Sequence, residues 1–378
     1  MDKKEKNALI GNNEIILNNI KSIENKRNYG IDLLKIISTI SVIILHINKY
    51  SQLIKLPPYT SKYKKSWYLE IFFYWGVNGF GLISGFVSYK RFKFSNIIYI
   101  WIEVFFYSIL IATFLFLTHQ ISKNQLYLSF FPLLNKRNWY VNAYFSMYLF
   151  LPFIVEGIKN CKRKIFRIII ILFFIYFSLY NIIARIIKKE SYHFLYNGYS
   201  PTWLTILYII GAYFGKNVIN LENKEKCIYY IFCVMIYFLC SFLTLRIYLK
   251  KKNILKIIPN NLFVEYISPS IIIQAISLLM FFSKLPIKKN MIKKIISFFS
   301  SLNFSAILIH GRLFQTNSLI TKRWFYRIKN INDSFLILKI ILIAIFVYII
   351  CILIDYFRSL LFKILKIRYF CELIEKKI

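Results

Sequence analysis

From about residue 30 to residue 362, the chain alternates long runs of isoleucine, leucine, valine and phenylalanine with short stretches rich in lysine and asparagine. The runs are continuous and helix-length. That pattern suits helices crossing a bilayer and not a barrel, whose strands alternate over about ten residues. Ten spans are predicted, at about 30–48, 67–89, 97–118, 139–158, 166–187, 201–217, 227–249, 263–283, 295–313 and 335–362. The sixth is short and follows Pro201. The ninth carries Ser300, Ser301, Asn303, Ser305 and His310, so both read as cavity-lining helices rather than lipid-facing ones. The expected fold is an all-α polytopic membrane helical bundle of about ten transmembrane helices. No repeat period or linker divides the spans, so residues 30–366 read as one membrane domain between an N-terminal tail, 1–29, and a C-terminal tail, 367–378. The first 26 residues are polar and lack the apolar core of a cleaved signal, which predicts a retained first span behind a short tail.

Composition supports this reading. Of 378 residues 58% are hydrophobic, and the 11 glycines and 8 prolines are few for an all-β chain. The net charge of +35 would otherwise direct attention to nucleic acid. Here the lysines cluster between apolar runs, where they act as topology signals and contacts to membrane lipids, so no nucleic-acid partner is expected. The strongest clusters, Lys159–Arg167 and Lys284–Lys294, favour both termini in the cytoplasm. His46 then lies towards the outer end of the first helix. The six cysteines form no CxxC pair and no metal spacing, so neither a disulfide framework nor a metal site is expected. No P-loop, dinucleotide fingerprint, HExxH or GxSxG occurs, which removes those chemistries and any bound cofactor they imply.

Chemistry concentrates first in Arg27–Asn48. On a helix, Asp32, Lys35 and His46 fall near one line, with Lys35 and His46 roughly 16 Å apart along the axis. Such a stripe faces the bundle rather than lipid. His46 is suited to take a proton from a hydroxyl and return it to a leaving group, or else to anchor its helix near the interface. Asp32 and Lys35, at i and i+3, either pair with each other, with Arg27 at the headgroups, or support a site.

Gly76–Ser88 (GVNGFGLISGFVS) carries small residues with Asn78 and Ser84, a face for close approach of another backbone or a ligand. In Asn138–Pro152 (NWYVNAYFSMYLFLP), Trp139 and Tyr140 suit the aromatic belt of a membrane interface. With Asn142, Tyr144 and Tyr148 they equally suit the lining of a polar cavity. His310 either orients a substrate or anchors the ninth span. His119 and His193 fall in loops, and Glu103, inside the third span, requires a partner such as a lysine of a neighbouring helix.

Taken in order, these motifs resemble the integral-membrane acyltransferase-3 family, the group that O-acetylates cell-surface polysaccharides. The likeness lies in R-x4-D-x2-K-x10-H (Arg27, Asp32, Lys35, His46), ISGF (Ile83–Phe86), the WY-x3-Y-x3-YL-x2-P run (Trp139 to Pro152) and LIH (Leu308–His310). The resemblance implies acyl transfer from a cytoplasmic donor, acetyl-CoA or another acyl-CoA, to a hydroxyl of a polysaccharide or its lipid-linked precursor, in a bacterial plasma membrane. His46 would be the base on that hydroxyl or a transient acyl carrier. Lys35 would assist the donor's charged end or hold the site's electrostatics. The family commonly places an arginine pair at the edge of the third helix. Here the positions near Ile97–Trp101 are apolar, and the donor-side expectation falls on the earlier cluster Lys90, Arg91 and Lys93.

Overall fold

The computed structural model describes residues 27–58, 60–134, 139–187, 195–217, 223–250, 263–315 and 319–377. The N-terminal tail before Arg27 and the loop histidine His193 lie outside them. Among the described residues there is no strand. In chain order the helices are α1 (Tyr29–Tyr50), α2 (Ser61–Phe73), α3 (Gly76–Ser88), α4 (Phe94–Leu117), α5 (Lys123–Leu128), α6 (Trp139–Asn160), α7 (Arg163–Phe174) and α8 (Tyr180–Ile186). They continue with α9 (Pro201–Lys216), α10 (Asn223–Lys250), α11 (Pro269–Lys284), α12 (Asn290–Ser301), α13 (Asn303–Gln315), α14 (Leu319–Lys329), α15 (Leu336–Ile364) and α16 (Ile367–Lys377). The protein is an all-α, multi-pass membrane bundle.

Each of the ten apolar runs contains a helix, but they differ in length and continuity, and the eighth is helical only from Pro269, its first residues 263–268 forming turns. Among the described residues seven are long and apolar enough to cross a membrane, or eight if the bent pair α12–α13 is one span. The second run is α2 and α3 joined through Tyr74 and Trp75, and the fifth is α7 and α8 joined by a π-helical turn, Ile175–Leu179. The ninth breaks at Leu302, where α12 and α13 meet at 46°. The sixth and eighth, α9 and α11, have 16 residues each, about 24 Å of helix against a hydrocarbon core of about 30 Å. Both begin at a proline in the first turn, which lacks an N–H that would be unpaired there anyway.

The C-terminal tail is a helix. α16 lies against the start of α4, where Glu375 Oε1 accepts from the Phe94 N–H (2.7 Å) and Arg368 donates to Asn96 Oδ1 (2.8 Å). Hydrogen bonds from Ser95 and the backbone hold the Glu375 carboxyl below the ordinary carboxylate range.

α1 runs through the centre. Its small polar residues Ser38, Thr39 and Ser41 are buried where other helices cross it. α3 packs against α1 through Gly76 and Gly79, whose missing Cβ atoms leave room for the Ser38 backbone and hydroxyl. Its other small residues meet α9: a methyl at Gly85 would run into the Tyr208 carbonyl, and one at Gly211 into the Leu82 carbonyl. The small-residue face is therefore spent on two backbone approaches, the usual way to bring apolar helices together without a hydrophobic driving force between them. Contacts between Asn48 and Ser66, and between Ser38 and Gly79, show that α2–α3 runs antiparallel to α1.

Candidate active site

The ionisable stripe of α1 docks along the broken helix α12–α13. At its first end, Asp32 does not pair with Lys35. It takes the guanidinium of Arg27, and its Oδ1 accepts from the Ser300 hydroxyl (2.8 Å). Arg27 also donates to Ser297 (2.6 Å), and Lys35 Nζ donates to the Ser300 carbonyl (3.2 Å). The reason is geometric: a helix ending at Ser301 leaves carbonyls without intrahelical partners, and an ammonium satisfies one. Just past the break, Asn303 donates to Thr39 Oγ1 (2.6 Å) and accepts from the Tyr348 hydroxyl (3.0 Å), tying α1 to α13 and α15.

Glu103 finds an arginine rather than a lysine. Arg358 of α15 lies 3.7 Å from it and also pairs with Asp355, which accepts from the Tyr107 hydroxyl (2.7 Å); all three charged groups are buried. A further guanidinium N–H of Arg358 donates to Tyr99 (3.0 Å), and Arg368 of α16 lies over the same ring (5.7 Å). Two arginines from the end of the chain thus reach the start of α4, where the sequence near Ile97–Trp101 offers no basic residue. Lys90, Arg91 and Lys93 are exposed on the turn between α3 and α4.

At the other end of the stripe, His46 Nδ1 lies 3.1 Å from His310 Nε2, and His310 Nδ1 contacts the Ala306 carbonyl one turn back on α13. A carbonyl only accepts, so His310 Nδ1 carries its proton and Nε2 is the acceptor. His46 Nδ1 must then donate, leaving Nε2 as the basic atom of His46 in the neutral pair. The contacts from Arg27–Ser297 through Thr39–Asn303 to His46–His310 show that the two spans run parallel, so both histidines fall late in their helices and meet; the i, i+4 return to Ala306 sets both tautomers.

His46 lines a cavity of about 510 Å³, with Lys49, Tyr50, Lys55, Glu70, Tyr74, Trp139, Tyr140, Tyr199 and Tyr266 among its walls. The aromatic wall is continuous. Trp139 and Tyr199 have ring centroids 4.6 Å apart, Tyr199 and Tyr266 5.0 Å, and Tyr74 and Tyr266 4.7 Å. Trp139 and Tyr140 are therefore cavity residues as well as candidates for an interface belt. Tyr144 stacks on Tyr140 one turn deeper and is hydrogen-bonded to Ser84, while Asn142 is half-buried on α6; these three do not line this cavity. Asn78 is fully buried, donating to the Tyr266 carbonyl (2.7 Å) and accepting from the Trp203 indole (3.1 Å). It positions the aromatic wall rather than facing the cavity.

Glu70 had not been singled out. It is buried at the cavity edge and accepts from Asn48 (2.8 Å), whose amide also donates to the Ser66 carbonyl (3.0 Å). Its signal was available, a carboxylate near the start of the apolar run 67–89. Tyr199 and Tyr266 lie outside helices and carried none. Among the described residues no group of three His, Cys, Asp or Glu could hold a metal.

In this polytopic bundle a histidine held by a second, buried histidine lines an aromatic-walled cavity, an arrangement able to exchange a proton with a bound molecule. A family model described as an acyltransferase domain matches residues 28–356. The chain therefore belongs to the acyltransferase-3 family, and is a membrane acyltransferase. No curated protein and no solved structure matches it significantly.

Proposed function

We propose that the protein transfers an acetyl group from acetyl-CoA to a hydroxyl of a cell-surface or capsular polysaccharide, or of its lipid-linked precursor, in the plasma membrane of a bacterium. The observation that carries this reading is the Ala306–His310–His46 chain ending at a cavity walled by Trp139, Tyr140, Tyr74, Tyr199 and Tyr266. Aromatic faces bind sugar rings by stacking, and their hydroxyls and indole N–H supply the few polar contacts that fix orientation.

In this mechanism His46 Nε2 takes the proton of the acceptor hydroxyl as its oxygen attacks the thioester carbonyl. The C–S bond breaks, and the CoA thiolate recovers the proton from the His46 imidazolium. His310 holds the tautomer that makes this possible and spreads the transient positive charge. The same Nε2 is the atom that would carry the acetyl group in a two-step route.

With both termini in the cytoplasm, the cavity faces outward. The Tyr29 end of α1 then faces the donor, among Lys90, Arg91, Lys93, Arg368 and the basic segments Lys159–Arg167 and Lys284–Lys294. Lys35 holds the α12–α13 break and sets the field beneath the site, rather than touching the reacting atoms.

The test is transfer itself. Membranes holding equal amounts of wild-type protein or His46→Ala receive labelled acetyl-CoA and an acceptor glycan. Label should enter the glycan with the wild type and fall about 100- to 10,000-fold without His46. Equal labelling by the two would overturn the proposal.

A further inference from the structure

A second pocket, about 530 Å³, adjoins the first. Its walls are Lys49, Tyr50, Ser51, Gln52, Ile54 and Lys55 from α1 and the turn after it, Phe314 at the end of α13, and Thr321, Lys322, Phe325, Tyr326 and Lys329 of α14. The two cavities share Lys49, Tyr50, Ile54 and Lys55. Among the described residues four lysines line the second pocket and no carboxylate does, whereas the first contains Glu70.

The pocket is built on anchored elements. Phe314 and Phe325 are buried against each other, with ring centroids 5.2 Å apart, and Phe325 packs on Tyr50 at 5.5 Å. The end of α14 is held to α2 by Lys62, whose Nζ donates to the Lys329 carbonyl (3.1 Å). Lys62 and the shared wall fix the pocket relative to His46.

Four lysines around a concave space, with no carboxylate among the described residues of its wall, suit a compact multivalent anion; Lys322 and Lys329 belong to this pocket alone, whereas Lys49 and Lys55 are shared with the cavity that holds Glu70. Lysine meets phosphate as a point charge with rotatable donors and needs no planar, bidentate partner. A neutral sugar acceptor would gain nothing from such a wall. Taking the acyltransferase reading as given, we infer that this pocket binds a phosphoester of the acceptor while its sugar lies in the His46 cavity. The phosphate is either the pyrophosphate of a polyprenyl carrier or a phosphodiester within the glycan. The protein's acceptor is therefore anionic, and Lys322 and Lys329 are specificity residues that touch neither donor nor reacting hydroxyl.

The experiment reads binding, so it does not depend on transfer. Full-length protein in discs of zwitterionic phosphatidylcholine is titrated with a short-chain polyprenyl pyrophosphate and with a soluble glycerol-phosphodiester oligomer. At least one should bind the wild type, and Lys322→Gln/Lys329→Gln should weaken it about tenfold or more, as expected for losing two charge-assisted contacts. Lys322→Arg/Lys329→Arg, at equal thermal midpoint, should restore most of the affinity. Binding of the polyprenyl probe alone assigns the phosphate to a lipid carrier, and binding of the oligomer as well assigns it to the phosphodiester chemistry of the glycan. The inference fails if neither probe binds the wild type, or if the glutamine pair binds as tightly as the wild type. It fails equally if adding phosphatidylglycerol to the discs abolishes probe binding, since the pocket would then serve a bilayer headgroup. Phosphate binding with no transfer to any acceptor would refute the acyltransferase mechanism and leave this site standing.

Discussion

The two ends of α1 carry the same kind of side chain to opposite fates. At the Tyr29 end, Arg27, Asp32, Lys35, Glu103, Asp355 and Arg358 are arranged so that each charge meets an opposite charge, a hydroxyl or an open carbonyl. At the Tyr50 end, His46 and His310 are joined to each other and to one carbonyl; His310 is buried, and His46 borders a cavity. A buried charge must be paired, and a paired charge holds helices together. A neutral imidazole can be held in an apolar bundle without a counter-charge, and so remains available for proton transfer. The same inward-facing stripe thus yields a structural clamp at one end and a candidate base at the other.

Breaking the clamp should give the largest effect on folding. Arg358→Met leaves Glu103 and Asp355 buried without their cation and should cost about 3–5 kcal/mol, read as a lower unfolding midpoint in detergent. Adding Glu103→Leu and Asp355→Leu should recover part of that loss, because an apolar replacement removes the unpaired charges.

At the other end, His310→Leu should leave the midpoint nearly unchanged but lower kcat about 10- to 100-fold with KM little altered, since it frees the His46 tautomer. The pH–rate profile should shift with it, which a purely structural residue would not cause. Lys35→Gln keeps a donor for the Ser300 carbonyl. It should cost about 1 kcal/mol of stability and leave transfer within roughly tenfold of wild type; a loss as deep as that of His46→Ala would move Lys35 into the chemistry and dissolve the contrast between the two ends.

The smallest effect concerns α16. Glu375 is held below its ordinary value of 4.5 by its bonds to α4, so its contribution is present above that value and lost as pH falls through the lower, folded one. Hydrogen exchange at Phe94 should speed up under acid and in Glu375→Gln, with no change at His46.

The helical architecture was legible because bilayer spans write themselves as long apolar runs, and each of the ten runs contains a helix. What the runs could not give was continuity. Nothing in a hydropathy pattern marks the break at Leu302, although Ser300, Ser301 and Asn303 flag a segment unsuited to lipid. His46 stood out by type and position, yet its orientation depends on His310, 264 residues later. Asp32 and Lys35 looked like a local pair because i, i+3 spacing permits one; the open carbonyl of Ser300 offered Lys35 a partner that no local rule can foresee. Glu70 was readable as an acid near the start of an apolar run. Tyr199 and Tyr266 reach the cavity from segments outside any helix, where periodicity has nothing to say.

Proton transfer by His46 turns on which of its ring nitrogens carries the proton. Nitrogen NMR of the full-length protein in lipid, with ring-labelled histidine and the His46 signal assigned by its loss in His46→Ala, reads this directly at neutral pH. A protonated Nδ1 with a bare Nε2, switching or averaging in His310→Leu, is the predicted result. A protonated Nε2 in the wild type would contradict the histidine relay and, with it, the role of His46 as the base.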